Sequence, residues 1–372
     1  MIESLFLKNF KCFAEQTVRF GGLTVLAGVN GSGKSSVIQA ILALRQRWGI
    51  SRGSPWRGPL VNLGSFVDVL HDEAEDDTVR LEACFGDAGR AHFEARLPGA
   101  AEENDTGGCD APAGSLLRGD MFYLSADRLG PRRTLPYATE GHGSPTPLGK
   151  RGEHVLWYLS EAGEVPVGES VRHPDASKNT LAAQANAWLG LISPGAELDI
   201  RVIPEADSAV GTYRYSRAAD VQSRPFRAAN VGFGLSYALP AITALLAPVR
   251  DPGRSANHLV IIENPEAHLH PGGQTSLAEL AARATAGGSQ VIVETHSDHM
   301  LDGVRLAVRD GILCPEQVVL HYFERDGLDV RVTTPVIGRS GRLDVWPEGF
   351  FDQHERNLSR LLAPPDASGE ER

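Results

Sequence analysis

Gly28-Val29-Asn30-Gly31-Ser32-Gly33-Lys34-Ser35 decides how this 372-residue chain is read. It fits G-x-x-x-x-G-K-[ST], a loop whose glycines turn the backbone tightly and aim N–H groups at phosphate oxygens. Leu23-Thr24-Val25-Leu26-Ala27 precedes it as a compact apolar run, the form of a buried parallel strand. Behind it Val37, Ile38, Ile41, Leu42 and Leu44 recur at helical spacing. The order strand, glycine loop, helix places the positive end of a helix dipole at the loop. Lys34 is expected to reach the β- and γ-phosphates, and the Ser35 hydroxyl to bind Mg²⁺. Gly28, Asn30, Gly31, Ser32, Gly33, Lys34, Ser35 and Ser36 form the expected phosphate-binding set. The pattern says that a nucleotide is bound, and leaves open which class of protein binds it.

Outward from the loop, Ser4–Leu7 and Thr17–Phe20 read as short strands. Asp68–Asp77 holds six acidic residues and reads as a solvated loop; Ala100–Ser115, poor in large apolar residues, reads as disordered or mobile. Gly141–Pro147 reads as a loop and Ala363–Arg372 as a frayed tail. Regularity returns after Asn230. Ser236–Leu246 reads as a helix, Leu259–Ile262 as a buried strand, and Leu277–Ala284 as a helix ended by Gly287-Gly288. Gln290–Val293 is another buried strand and Met300–Val308 another helix. Strands alternating with helices point to an α/β fold with a mostly parallel sheet.

Composition narrows the class. Hydrophobic residues make up 42% and charged residues 22%, ordinary for a globular chain. The net charge of −11 excludes a strongly basic nucleic-acid binder as a whole-chain description, though not a local basic groove. Cys12, Cys84, Cys109 and Cys314 are scattered, without a C-x-x-C pair, so neither a zinc cage nor a disulfide framework is indicated. Without a membrane-length apolar run or a secretory leader pattern, the expected location is cytoplasmic, with no membrane partner.

Two strand ends carry further chemistry. His258-Leu259-Val260-Ile261-Ile262-Glu263 is an apolar strand closing on a carboxylate, the group needed to hold a metal near a bound triphosphate. Val291-Ile292-Val293-Glu294-Thr295-His296 puts a histidine just past the next strand, at the carboxyl ends where ligands of parallel sheets sit.

Together these pieces resemble the ABC-type ATPase heads of the RecF, SMC and overcoming-lysogenization-defect group. Leu5–Phe13 resembles that group's first strand, Glu263-Asn264-Pro265-Glu266-Ala267-His268-Leu269-His270-Pro271 its Walker B and D-loop run, Thr295-His296-Ser297 its switch histidine, and Val231-Gly232-Phe233-Gly234-Leu235-Ser236 its signature loop. Trp346-Pro347-Glu348-Gly349-Phe350-Phe351-Asp352 resembles part of a C-terminal domain of unknown function found on bacterial members. The resemblance implies a P-loop NTPase of the ABC-head type: a mostly parallel sheet, an antiparallel N-terminal β subdomain, and an inserted α/β or helical lobe. It divides the chain into a discontinuous head over 1–85 and 225–325, a lobe over 86–224, and a C-terminal extension with a flexible tail over 326–372. It implies ATP and Mg²⁺ as cofactors, with Ser35 and Glu263 at the metal and Glu263, Glu266 and His296 as catalytic residues. It further implies a homodimer or higher oligomer in which Gly232, Gly234 and Ser236 of one copy meet the nucleotide of the other, and a separate effector protein. DNA or another nucleic acid is a further option. Local chemistry alone would also read Gly232–Ser236 as a glycine turn capping a helix.

Two positions depart from that pattern. Asn264 stands where many relatives carry the catalytic glutamate, so hydrolysis is expected to be slow, or Glu266 to substitute. Tyr237 stands where relatives often have glutamine. From Ser35 to Ser236 is 201 residues, longer than a transporter head and far shorter than a chain with coiled-coil arms. The 76 residues after His296 show no acidic metal cluster of a nuclease. The functional expectation is an ATPase of bacterial phage defence or DNA maintenance; a nucleotide-sensing scaffold and a transporter-associated ATPase are the alternatives. Some readings stay open on the residues. Arg45, Arg47, Arg52 and Arg57 with Trp48 and Trp56 could track a nucleic-acid backbone or form a solvated helix end. Arg128 could touch phosphate or join a structural ion pair. His268, His270, His296 and His299 could suggest zinc, although a nucleotide-site loop accounts for them better.

Overall fold

The computed structural model describes residues 1–50, 55–96, 106–119, 121–137, 146–217, 221–247, 258–327 and 329–362. Its centre is a sheet in the order β16-β15-β3-β14-β13-β7. These strands are β3 (Leu23–Gly28), β7 (Met121–Leu124), β13 (Leu259–Glu263), β14 (Gln290–Thr295), β15 (Val318–Asp326) and β16 (Asp329–Thr333). The pairs β7–β13, β13–β14, β14–β3 and β3–β15 are parallel, and β16 returns antiparallel at the edge. Both faces of the parallel strands are covered, which is why they read as continuous apolar runs.

One face meets an antiparallel sheet through a helix. That sheet runs β2-β1-β4-β5-β6, with β1 (Ser4–Phe10), β2 (Phe13–Arg19), β4 (Thr78–Cys84), β5 (Arg90–Arg96) and β6 (Thr106–Cys109). Its strands alternate buried and exposed residues, and Leu7 lies opposite Leu81, which lies opposite Phe93. The phosphate-loop helix α1 (Lys34–Arg45) lies between the sheets, its Val37, Ile38 and Ile41 in one cluster with Leu5, Phe10, Ile261, Ile292 and Phe323. The short helices α2 (Phe66–Val69) and α3 (Ala111–Arg118) border this layer.

On the other face Val25, Leu124, Val260, Ile262 and Val293 form a second core with α6 (Phe233–Leu246), α7 (Pro271–Ala286) and α8 (Asp298–Arg309). Between β7 and α6 the chain builds α4 (Val155–Ala162), α5 (Leu181–Ile192) and an antiparallel sheet. That sheet comprises β8 (Leu135–Pro136), β9 (Ala196–Ile203), β10 (Ser208–Arg217), β11 (Val221–Gln222) and β12 (Phe226–Arg227). Helix α9 (Gln353–Leu362) ends the described chain.

The fold class is the expected one, with three local differences. The boundary expected at residue 86 cuts through the first sheet, because β5 and β6 continue from β4, and β7 at 121–124 is a strand of the central sheet. Residues 106–109 and 111–115, expected as part of a mobile stretch, form β6 and most of α3; Ala113 and Leu117 supply the apolar anchors. Residues 100–105, 141–145 and 363–372 of the expected loops and tail lie outside the described residues. No described helix is long and apolar enough to cross a membrane.

Candidate nucleotide site

Strand β3 ends at Gly28, and the loop to α1 holds Gly28, Gly31 and Gly33 at positive φ. A side chain at Gly28 would collide with the carbonyl oxygen of Phe323 on β15. The loop therefore sits directly against a neighbouring strand. Gly33 is the left-handed residue that opens α1. Ser32 is buried, its hydroxyl donating to the Val29 carbonyl at 2.8 Å, which holds the turn closed.

A cavity of about 390 Å³ opens over the loop. Asn30, Gly31, Ser32, Gly33, Lys34, Ser35 and Ser36 line it, with Lys11, Cys12, Gln39, Asn264, Glu294 and His296. Lys34 is buried, its ammonium donating to the carbonyls of Gly28 (3.0 Å) and Val29 (2.6 Å). Burial lowers its pKa, opposed by the charges of Glu294 and Glu266. A phosphate would offer that ammonium a full charge in place of two carbonyl dipoles.

The Ser35 hydroxyl lies 3.0 Å from both carboxylate oxygens of Glu294. Glu294 is not among the residues expected at the metal. It comes from β14, in register with Glu263 of β13, so two buried carboxylates stand side by side at adjacent strand ends. Burial first, then the neighbouring Glu263, pushes the Glu294 pKa up to about 7; Lys34 and Ser35 pull it the other way. A signal was present in the sequence: both apolar runs close on glutamate before turning.

Glu263 itself is turned away from the cavity lining. Its carboxylate accepts from the Tyr123 hydroxyl at 2.8 Å and from the Ala126 N–H at 3.4 Å, and burial raises its pKa. Asn264 does line the cavity. It sits at φ 46°, a left-handed conformation that asparagine tolerates better than glutamate. Its Oδ1 is buried without a hydrogen-bond partner among the described residues. Glu266 accepts from the His296 N–H at 2.7 Å through one oxygen, while the other is buried and unpartnered among the described residues. The His296 ring hydrogen-bonds the Gly28 backbone; burial and the charge of Lys34 lower its pKa. Sequence reading also passed over Lys11, whose ammonium donates to Gln39 Oε1 at 2.6 Å on the cavity wall.

Within one chain, Gly232, Gly234 and Ser236 are not brought to this cavity. Gly232 is the exposed residue preceding α6. Gly234 allows a close approach, since a Cβ there would lie 2.8 Å from the His268 carbonyl. Ser236 is hydrogen-bonded by Tyr213 and lines a separate pocket of about 40 Å³.

The structure also bears on the other open readings. Arg128 does not face the phosphate loop: its guanidinium donates to the carbonyls of Ser125, Glu263 and Asn264. Trp56 is unsuited to stacking on a base, being buried with its ring stacked on Phe10 and edge-on to Phe93. Arg45 is buried and donates to the Leu117 carbonyl, while Arg52 lies outside the described residues. The histidines diverge. His268 packs on Phe233 and Tyr237, His270 caps α7, and no three His, Cys, Asp or Glu side chains gather as a metal cage among the described residues.

Comparison with known proteins gives domain families and a fold. Residues 168–302 match the family described as "AAA domain, putative AbiEii toxin, Type IV TA system", residues 4–45 match an AAA domain, and residues 313–361 match DUF3696, a protein family of unknown function. Among solved structures, an SMC head bound to the C-terminal winged-helix domain of ScpA is similar at 15% identity and a TM-score of 0.53, over 90% of this chain and 98% of that one. The SMC head of Pyrococcus yayanosii, with a coiled coil and joint, is similar at 12% identity and a TM-score of 0.51, over 91% and 98%. That of Pyrococcus furiosus, with an extended coiled coil and bound to the C-terminal domain of ScpA, is similar at 14% and 0.50, over 97% and 99%. No curated protein matches the sequence. The AAA-domain matches and the fold together define a nucleotide-binding ATPase with the fold of an ABC-type head. More narrowly, the chain carries AAA-domain segments at 4–45 and 168–302 and a C-terminal DUF3696 segment at 313–361, within a fold similar to that of the SMC heads.

Proposed function

We propose that the chain binds Mg-ATP over the 28–36 loop, pairs head-to-tail with a second copy around it, and hydrolyses it slowly. The observation that carries the reading is the cavity on which Lys34, Ser35, Asn264, Glu294 and His296 converge from three strand ends. The donor set fits a hard cation, which prefers oxygen ligands. The Ser35 hydroxyl and the Glu294 carboxylate lie together, and Asn264 and Glu266 each hold a buried oxygen with no partner among the described residues. Ser35 would hold Mg²⁺, with Glu294 beside it and Glu263 behind on the adjacent strand. When bound, the ion would neutralise the charge that develops on the phosphate oxygens. Lys34 exchanges its two carbonyls for phosphate oxygens, and His296 faces the terminal phosphate.

Asn264 cannot accept a proton from attacking water; losing a general base costs about 10²- to 10⁴-fold. Glu266 is the neighbouring carboxylate able to substitute. Pairing draws support from Gly232, whose backbone angles suit any residue and where a Cβ would meet nothing within 4 Å of its own chain. Among the described residues sterics do not demand glycine there; beyond the ordinary preference for glycine before a helix, we assign it to the approach of a partner's nucleotide. For the output we favour phage defence or DNA maintenance in a bacterium, through a separate effector; the family matched at 168–302 is described as a putative toxin, and two of the similar SMC heads are bound to ScpA domains.

Lys34→Ala tests the reading. Titration with a fluorescent ATP analogue should show at least a tenfold loss of affinity, since charge-assisted bonds to phosphate are removed. Unchanged binding refutes it. Asn264 specifically favours a second reading, a nucleotide-sensing scaffold. Turnover well below roughly one per minute, with tight ATP binding and self-association, decides for that reading.

A further inference from the structure

We propose that Arg128 is a positioning residue that couples the nucleotide-facing end of β13 to the start of α6 within a single chain. The proposal rests on the nucleotide reading above and goes beyond it, to the path by which occupancy of the cavity reaches a distant surface.

Arg128 is 2% exposed. Its Nη1 donates to the carbonyls of Glu263 (2.6 Å) and Ser125 (3.2 Å), and its Nη2 to that of Asn264 (2.5 Å). It forms no ion pair among the described residues. A buried cation held by carbonyl dipoles is costly, and an apolar side chain would fill the same volume without a charge. What the guanidinium adds is a rigid fork. One side of the fork grips Glu263, the last residue of β13, and Asn264 just after it, which lines the cavity. The other side lies over the ring of Tyr237, 5.4 Å from its centroid.

Tyr237 is on α6, five residues after Gly232. Its ring also meets His268 at 4.7 Å, and His268 meets Phe233 at 5.4 Å. Two residues beyond Arg128, a Cβ at Gly130 would stand 2.9 Å from the Phe233 ring. Segment 128–130 therefore touches the β13 end on one side and both aromatic rings of the first α6 turns on the other. Phe233 is 55% exposed, so the far end of the chain of contacts is open surface. A shift of Asn264 on nucleotide binding moves its carbonyl, hence the fork, hence Tyr237 and the α6 start. This also gives Tyr237 a reason to be aromatic.

Hydrogen exchange on the full chain tests the coupling, with Mg²⁺ and ATPγS, at a concentration where sedimentation shows monomer. In the unmodified chain, nucleotide should slow exchange at 28–36 and, by about threefold or more, at 231–237. Tyr237→Leu leaves the Arg128 carbonyl contacts in place; it should keep the response at 28–36 and lose that at 231–237. Tyr237→Phe, which restores a ring face, should restore it. Arg128→Met should behave like Tyr237→Leu, and if it fails to fold the two Tyr237 variants still decide. An unchanged 231–237 response in Tyr237→Leu, or none in the monomeric unmodified chain, overturns the coupling. Absence of any response at 28–36 in the unmodified chain overturns the nucleotide reading, and the coupling with it.

Discussion

Replacing Gly232 by alanine adds one methyl group at a place where the folded chain has no objection to it. Its φ of −59° and ψ of 140° are open to every residue, and the new carbon would have no neighbour within 4 Å. The substitution stiffens the unfolded chain, a gain of about 0.4–1 kcal/mol. Against that, alanine is a poorer residue than glycine before a helix, by an amount of similar size. The two nearly cancel, so the melting temperature should move by no more than about 2 °C. The paired state is different. If the 232–234 backbone donates to a phosphate held by a partner, the methyl displaces at least one charge-assisted hydrogen bond, about 1.5–3 kcal/mol. A head-to-tail pair holds two such contacts, so self-association should weaken by about 10²- to 10⁴-fold. Sedimentation with Mg²⁺ and ATPγS reads the pairing, and thermal denaturation reads the fold. Gly234→Ala is the contrast: its Cβ meets the His268 carbonyl at 2.8 Å, so it should destabilise the monomer itself. A Gly232→Ala chain that pairs normally would refute the reasoning, as would one that unfolds well below the unmodified protein.

Glu294 gives the stability a pH dependence. Its pKa rises from 4.5 to about 7 on folding, so between those values the folded chain holds a proton that the unfolded chain has released. Stability without nucleotide should therefore fall as pH rises through this window. In urea denaturation, Glu294→Gln should flatten that slope in part; Glu263, also pushed up by burial, retains the remainder. Tyr123→Phe strips the buried Glu263 carboxylate of its hydroxyl donor and should cost about 1–3 kcal/mol in the same assay. Glu266→Gln keeps an oxygen for the His296 N–H, so the local fold should persist while single-turnover hydrolysis slows about 10²-fold or more. An unmodified rate would remove Glu266 as the base.

The phosphate loop, the β3 strand before it and the helix after it were legible because each follows from a short-range rule: a buried run, a glycine turn, a helical period. The same rules found β13, β14, α7 and α8. They failed where partners are distant in sequence. Trp56 among arginines looks like a nucleic-acid surface until Phe10 and Phe93 close over it. Residues 106–109 carry no strand-like composition, and become a strand because the free edge of β5 pairs with them. Glu263 closes its strand as expected, but Tyr123, 140 residues upstream, decides where its carboxylate points. Arg128 was recognisable as a residue of interest, but the carbonyls it serves could not be named.

Strand β3, made within the first 28 residues, has β14 on one side and β15 on the other, both composed of residues from 290 onward. During synthesis the phosphate loop must therefore wait. The second of its flanking strands, β15, begins only at residue 318, 290 residues after β3 ends. Until then β1, β2 and β4 can close their own local sheet, but the stretch that grips phosphate has no walls. The DUF3696 segment at 313–361 supplies one of those walls. A shortened product ending before it would leave an apolar sheet edge bare beside the loop, a species for chaperones or proteases rather than a smaller working head.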